Sequence, residues 1–471
     1  MTKSCAVKHP WGVLCGALLL GGCAIGPDYH RPPVSAPAAF RFDSNPGVGR
    51  LSDWSSVYRD EKLSVLLREA LSNGFDVQIA AARVEEARAA AIEARAGLLP
   101  AISLDGTISR GKNDAFNSPL PNGGAIANSG AGTLGALWEF DLWGRVRRSN
   151  EAARARWLAS VEGRRDVELG LLSDIAVAYF ELVETDEELA ISEQAASSFA
   201  ESRRIFGQRV EGGTASALEA ARAQADWDDA TAAIPADRQA IAQLENRLSF
   251  LLGREPGPIA RGSLGASMDR LPSIPAGLPS DLLERRPDIL EAEDELRASN
   301  ANVGEALGEF FPRIGLTALF GQVSPDLKGF ARSGSRVWGV GADADAPLFE
   351  GGRLVGNYKG AKAARTEAEK RYARTVLDAF REVSDALVAR ERLGERQTSE
   401  IDEVKALEGA VQLSRSRYVA GKADYFEVLE AQQQLFPAQL ALARTQRDQL
   451  LACVALYRAL GGGWSNDRGN P

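Results

Sequence analysis

Histidine is almost missing from this chain of 471 residues: His9 and His30 are the only two. That scarcity excludes histidine-based catalytic triads and multi-histidine metal sites, so no metal or cofactor is expected. Cysteine is nearly as rare, at Cys5, Cys15, Cys23 and Cys453. The first two fall in an N-terminal leader and the third at its border. Only Cys453 is then left, and no internal disulfide can form in the mature chain. Beyond the leader no apolar run reaches the ~18 residues that a membrane-spanning helix needs. Proline is absent between Gly144 and Pro235, and again between Gly352 and Pro437, so nothing interrupts helices in those stretches. Basic charge is in deficit: the formal net charge is −9, and removal of Lys3 and Lys8 with the leader makes it −11. An acidic chain of this kind is a poor nucleic-acid binder.

The leader itself is informative. Lys3 and Lys8 precede the apolar run Trp11 to Leu20, and Leu20-Gly21-Gly22-Cys23 follows. A charged start, a short apolar segment and small residues at the cut make a secretory signal peptide, here residues 1–22. Leu20, Gly22 and Cys23 resemble a bacterial lipobox, which implies that Cys23 accepts lipid. Ala24 stands where an inner-membrane retention signal typically has aspartate, so the outer membrane is the expected address. Residues 23–62 contain "PPVSAPAAFRFDSNPG" and are expected to be an extended tether.

The rest of the chain is written twice. "RVEGGTASALEAARAQ" and "RYVAGKADYFEVLEAQ" place Arg209 with Arg417, Gly213 with Gly421, Glu219 with Glu427 and Gln224 with Gln432, each pair 208 positions apart. Asp76 and Asp288, Pro100 and Pro312, Ile102 and Ile314, and Leu104 and Leu316 are 212 apart. The expected repeats are 63–253 and 281–461, joined by a linker, 254–280, and followed by a tail, 462–471. Each repeat reads as helix, strand, long loop, strand, very long helix, tight turn and return helix. Leu172, Ile175, Tyr179, Leu182 and Leu189 mark the helical stripe in the first long helix. At ~1.5 Å per residue some 65 helical residues would reach roughly 100 Å.

Between the helices the period drops from 3.6 to 2. "AISLDGTIS", "TLGALWEFDLW", "RIGLTALFG" and "RVWGVGADADAPL" are the expected strands, with Gly111 to Gly132 as the first loop. One side carries Trp138, Phe140, Trp338 and Val340. The other carries Asp105, Glu139, Asp141, Asp343 and Asp345, which are expected to face water. Four strands cannot close a membrane barrel, because single-chain barrels have at least eight. Either the sheet belongs to a soluble protein, or several chains share one barrel.

The lipobox followed by "GPDYHRPP", the duplication, "WEFDLWGRVRR" with its partner "DADAPLFEGGRL", and "RYVAGKADYFEVLEAQ" together resemble TolC-like outer-membrane efflux channels, the NodT-type lipoproteins above all. The resemblance implies a mixed α and β fold in which each chain of a homotrimer gives four strands to a twelve-stranded barrel, continued by a periplasmic barrel of long helices. It implies an exit duct for small molecules, working with a periplasmic adaptor and an inner-membrane transporter of the RND type. It also places adaptor contacts and a gate at the hairpin tips, where Arg209, Gly213, Arg417, Tyr418, Gly421 and Asp424 lie. Asp424 has two readings, a cap of the return helix and a member of a carboxylate ring paired with arginines of adjacent chains. A type I protein-secretion duct and a non-conducting coiled-coil lipoprotein are the alternatives. An enzyme is not expected, since Asp343 and Asp345 have no basic or nucleophilic partner recognisable nearby.

Overall fold

A computed structural model of the chain describes residues 24–42 except 35, 58–112, 126–324 except 272, 273, 275, 276 and 278, and 329–462 except 331. Cys23, residues 43–57 of the tether and the tail after Gly462 lie outside them.

Nine helices and four strands follow one another among the described residues. They are α1 (Glu61–Asn73), α2 (Phe75–Ala96), β1 (Ala101–Lys112), β2 (Ile126–Glu139), α3 (Arg145–Glu211), α4 (Ala217–Leu251), α5 (Leu264–Met268), α6 (Pro279–Arg285), α7 (Pro287–Gly308), β3 (Arg313–Ser324), β4 (Arg336–Asp345), α8 (Arg353–Val419) and α9 (Phe426–Ala459). The duplication is visible in the bounds. Helices α3 and α8 both have 67 residues and begin 208 apart, while α2 and α7 both have 22 and begin 212 apart. No helix among the described residues is long and apolar enough to cross a membrane.

The chain divides into two compact units. One, 84–160 and 292–372 with the N-terminal segment through Pro32, holds the sheet. Its strands form an antiparallel meander in the order β1-β2-β3-β4, leaving β1 and β4 as edges. Register decides the faces, since residues directly opposite share a side. Leu104, Leu134, Phe320 and Trp338 are opposite one another across the sheet, as are Ile102, Ala136, Ala318 and Val340. This apolar face is bare: Leu104 is 81 % exposed, Trp338 77 % and Val340 78 %.

Two expectations about the strands are corrected. The stretch Gly111 to Gly132 is not loop throughout, because β1 continues to Lys112 and β2 begins at Ile126. Small residues such as Gly130 and Gly132 have weak strand propensity, but pairing with β1 on one side and β3 on the other holds them extended. The alternation through Phe140 and Leu142 also does not persist as strand. β2 stops at Glu139, and Gly144 turns the chain at φ +82°. Asp141 therefore leaves the sheet.

The second unit, 33–83, 161–291 and 373–471, holds the hairpin ends. Tyr179, at 0 % exposure, donates its hydroxyl to Asp60 Oδ2 at 2.9 Å and accepts the Gly262 N–H at 3.0 Å. Asp60 also caps α1 through the amides of Lys62 and Leu63. The linker is fastened here too: Arg261 bonds Glu245 at 2.6 Å and Asp186 at 2.9 Å.

Candidate functional site

At the ends of the long hairpins both turns rest on glycine. Gly213 has φ +70° and Gly421 φ +67°, and a Cβ added to either would meet nothing within 4 Å. Backbone conformation alone thus requires glycine, at a cost of ~1–2 kcal/mol for any L side chain. Gly421→Val is expected to leave the helices folded and to hasten cleavage of the tip by trypsin, which has Lys422 beside it; unchanged cleavage would remove the turn argument.

The first return helix, α4, starts with a reciprocal cap. Ser216 accepts the Glu219 N–H, and the Glu219 carboxylate accepts the Ser216 N–H at 2.7 Å. The second tip departs from the repeat. Asp424 occupies the position of Ser216, and its Oδ1 accepts the Phe426 N–H at 3.1 Å. Its carboxylate is also held in a two-pronged pair by Arg209 of the first tip, at 2.9 and 3.0 Å. The Arg209 guanidinium beside it and the Phe426 amide hold the Asp424 carboxyl down at about 2. Asp424 is thus a cap with a partner inside its own chain, where the sequence reading had offered arginines of adjacent chains. Arg417 turns to Glu427 at 3.3 Å.

Aromatic rings join the two tips beneath these charges. Tyr425 stacks edge-on against Phe206 at 5.5 Å and Tyr418 at 4.9 Å. Phe199, Ala223, Ala230, Val428 and Leu429 complete the cluster. Ser202, 0 % exposed, lies 3.0 Å from the Tyr425 hydroxyl and donates to Gln432 Oε1 at 2.9 Å. Ser202 was missed from sequence, although the repeated Gln224 and Gln432 were a signal that something polar is met there.

In the sheet unit, Asp105, Glu139, Asp343 and Asp345 share the face opposite the apolar one. Asp105 accepts from Ser103 Oγ at 2.9 Å, Glu139 is paired with Arg145 at 2.7 and 3.1 Å, and Asp345 stands across from Arg313. Asp141 belongs elsewhere: it accepts the amides of Val146 and Arg147 at 3.2 and 2.9 Å and so caps α3. This corrects its place among the strand carboxylates, because the strand ends two residues before it. Among the described residues no group of three or more His, Cys, Asp or Glu side chains could hold a metal ion.

The segment after Cys23 is fastened to the same unit. Ile25 N–H donates to Trp143 O at 2.9 Å, Asp28 pairs with Arg148 at 2.7 Å, and Asn300 donates to Pro27 O at 2.8 Å. Glu293, its side chain 1 % exposed, is paired with Arg31 and Arg297 and accepts from Tyr29. Burial pushes the Glu293 carboxyl up, but the two guanidiniums win and hold it below the ordinary range. Glu293→Ala is expected to leave Arg31 without its carboxylate while Arg297 keeps Asp294 at 2.8 Å, and to cost about 1–3 kcal/mol, read as a fall in the thermal midpoint; Glu293→Gln should recover only part.

Two hairpin tips, an open-edged sheet with one bare apolar face, and a fastened N-terminus define a channel protomer, and comparison with known proteins agrees. Residues 66–254 and 278–462 match the outer membrane efflux protein family. The solvent efflux pump outer membrane protein SrpC of Pseudomonas putida is 36 % identical over 461 residues, covering 95 % of this chain and 97 % of that one. The cation efflux system protein CusC of Escherichia coli is 31 % identical over 458 residues, covering 96 % and 98 %. The open-state MtrE outer membrane channel of Neisseria gonorrhoeae superposes with a TM-score of 0.84 at 30 % identity, covering 94 % and 99 %. The chain belongs to the outer membrane efflux protein family. It has the fold of TolC-like channels and serves as the outer-membrane exit duct of an efflux pump, which places an adaptor and an inner-membrane transporter beside it.

Proposed function

We propose that the chain works as a lipid-anchored homotrimer, whose shared twelve-stranded barrel opens to the outside and whose hairpin tips form a closable periplasmic mouth. The observation that carries this reading is the sheet: a bare apolar band that runs across one face from Ile102 and Leu104 to Trp338 and Val340, and two free edges in one four-stranded meander. In lipid an open edge leaves backbone groups unsatisfied, and closure with other copies removes it. Asp105, Glu139, Asp343 and Asp345 then line a water-filled lumen. The cargo is small molecules, since relatives named for solvent and for cation efflux match the whole chain alike. The adaptor docks at the tips, and the inner-membrane transporter is of the RND type. Detergent-solubilised protein is expected to scatter light as a trimer and to conduct ions in a planar bilayer. A monomer that conducts, or a trimer that does not, would refute this.

Cys23 carries the lipid in this reading. Ala24, the next residue, lies against Gly144 at the start of α3, where an added Cβ would come within 2.6 Å of it. Cys23→Ala is expected to abolish incorporation of labelled fatty acid without dissolving the trimer. Labelling that persists would place the lipid elsewhere.

A further inference from the structure

The chain as a whole is acidic, yet positive charge is concentrated where the sheet hands over to the long helices. Residues 353–366 of α8 carry Arg353, Lys359, Lys362 and Arg365 and no acid, and the matching residues 145–158 of α3 carry five arginines against Glu151 alone. Neither helix has an acidic residue in its first turn, so the positive end of each helix dipole adds to the same field. The first cations of each helix are paired within the chain: Arg145 with Glu139, Arg148 with Glu151 and Arg353 with Glu350. Further along, the exposed side chains of Arg154, Lys359 and Lys362 have no carboxylate partner among the described residues.

The helical period sets which way these three point. Arg145 and Ser149 line one cavity with Glu139, Asp343 and Asp345 of the carboxylate face of the sheet, and their counterparts 208 positions on, Arg353 and Asn357, both turn to Glu309. At 3.6 residues per turn, Arg154 lies roughly 140–180° around α3 from Arg145 and Ser149, and its counterpart Lys362 lies as far around α8 from Arg353 and Asn357. Lys359 is roughly 120–160° from the same two. Arg156 falls on the cavity side, and Arg365 is half-buried. Arg154, Lys359 and Lys362 thus face away from the luminal side. They also stand at similar depth: at ~1.5 Å per residue, Lys359 is ~9 Å and Lys362 and Arg154 are ~14 Å beyond the starts of their helices. Those starts adjoin the apolar band, with Trp138 on the apolar face seven positions before Arg145. Ala24, the residue after Cys23, lies against Gly144 at the same place. A lipid on Cys23 then holds the surface of the periplasmic leaflet at the helix starts, just above the three cations.

We propose that this side of α3 and α8 binds anionic phospholipid of the periplasmic leaflet, with the phosphodiester of one head group held between Lys359 and Lys362 and that of another at Arg154. Side chains of a helix lean toward its N-terminus, which here is the membrane end. Lys362 follows this rule: its Nζ lies 5.7 Å from the ring centroid of Tyr358, one turn nearer the membrane. Tyr358 in turn stands edge-on against Phe310 at 6.2 Å. An aromatic ring beside a long cation suits a membrane interface, where the ring sits at head-group level and the aliphatic stem lies along apolar surface while the charge reaches the phosphates. The inference rests on the lipid-anchored, shared-barrel reading, which sets the depth of the bilayer, and adds the class of lipid that the channel gathers around it.

Native mass spectrometry of the full-length trimer, titrated in detergent with dioleoyl phosphatidylglycerol or dioleoyl phosphatidylcholine, tests it. Wild type is expected to bind phosphatidylglycerol at least about fivefold more tightly, the change that one cation near an anionic head group brings. Lys359→Gln with Lys362→Gln should remove most of that preference, and Arg154→Gln should reduce it further. Lys359→Arg with Lys362→Arg should keep it, as should Lys405→Gln with Lys422→Gln, which takes the same charge from exposed positions elsewhere. Three results in wild type that is trimeric and conducting overturn this inference and leave the channel reading intact: equal binding of the two lipids, a preference undiminished by Lys359→Gln with Lys362→Gln, or displacement of phosphatidylglycerol by millimolar inorganic phosphate. Dissociation of the lipid-free trimer by Lys359→Gln with Lys362→Gln also overturns it, because the two lysines would then be held by a neighbouring copy. Wild type that is monomeric and silent overturns both readings.

Discussion

Val340→Lys is expected to abolish accumulation of the trimer in the outer membrane, whereas Gly339→Lys, one residue away, should assemble. Val340 is 78 % exposed and shares its face with Ile102, Ala136 and Ala318. Gly339 lies on the other face, with Leu319, Gly135 and Ser103 opposite it in turn, and an added Cβ there meets nothing within 4 Å. A lysine on the lipid side near the bilayer midplane costs about 2–4 kcal/mol in a barrel. Three copies would lose roughly 6–12 kcal/mol, which is comparable to the whole stability of a typical domain. On the luminal side the ammonium group stays in water beside carboxylates. Heat-modifiable trimer in outer-membrane fractions is the readout. Equal assembly of the two variants would mean that the faces are assigned wrongly.

The same register shows what could be read from residues alone. Alternation of Ile102, Leu104 and Ile108 with Ser103, Asp105 and Thr107 was legible because a half-buried strand repeats every two residues. The long helices were legible because proline-free stretches with a 3.6 period leave little else to form. The start of β2 was not, since Gly130 and Gly132 carry no strand signal of their own and are held by neighbours distant in sequence. Asp141 was misplaced for a related reason. A capping aspartate that follows an alternating run by two residues keeps the alternation in letters after the strand has ended in space. At the tips every residue was in view, yet the Arg209 to Asp424 pair was not. The two are 215 positions apart, and the repeat pattern aligns Arg209 with Arg417, which turns to Glu427 instead. Sequence symmetry finds equivalent residues; only the packing of one tip on the other shows where equivalence is broken.

That broken equivalence carries the second large effect. Asp424→Ala and Arg209→Ala are each expected to raise the conductance of the isolated trimer, because each releases the link between the two hairpins of a chain. The pair is partly exposed, with side-chain exposures of 23 % for Arg209 and 50 % for Asp424. A pair of this kind contributes at most ~1 kcal/mol. Three copies acting on one mouth give up to ~3 kcal/mol, or about a 10²-fold change in the open-to-closed ratio. The double variant should equal either single one, since the second change has nothing further to break. The charge exchange Arg209→Asp with Asp424→Arg should return conductance towards the wild-type value. Acidity gives an independent check. The Asp424 carboxyl is held at about 2, below the ~3.9 of an unfolded aspartate. A depressed value means that its stabilisation is complete above about pH 4 and is lost as pH falls through 2. Conductance should therefore not change on account of this pair between pH 8 and pH 5. Equal conductance of wild type, both single variants and the double, with all four trimeric, would leave Asp424 as the cap of α9 and place the closure of the mouth in other residues.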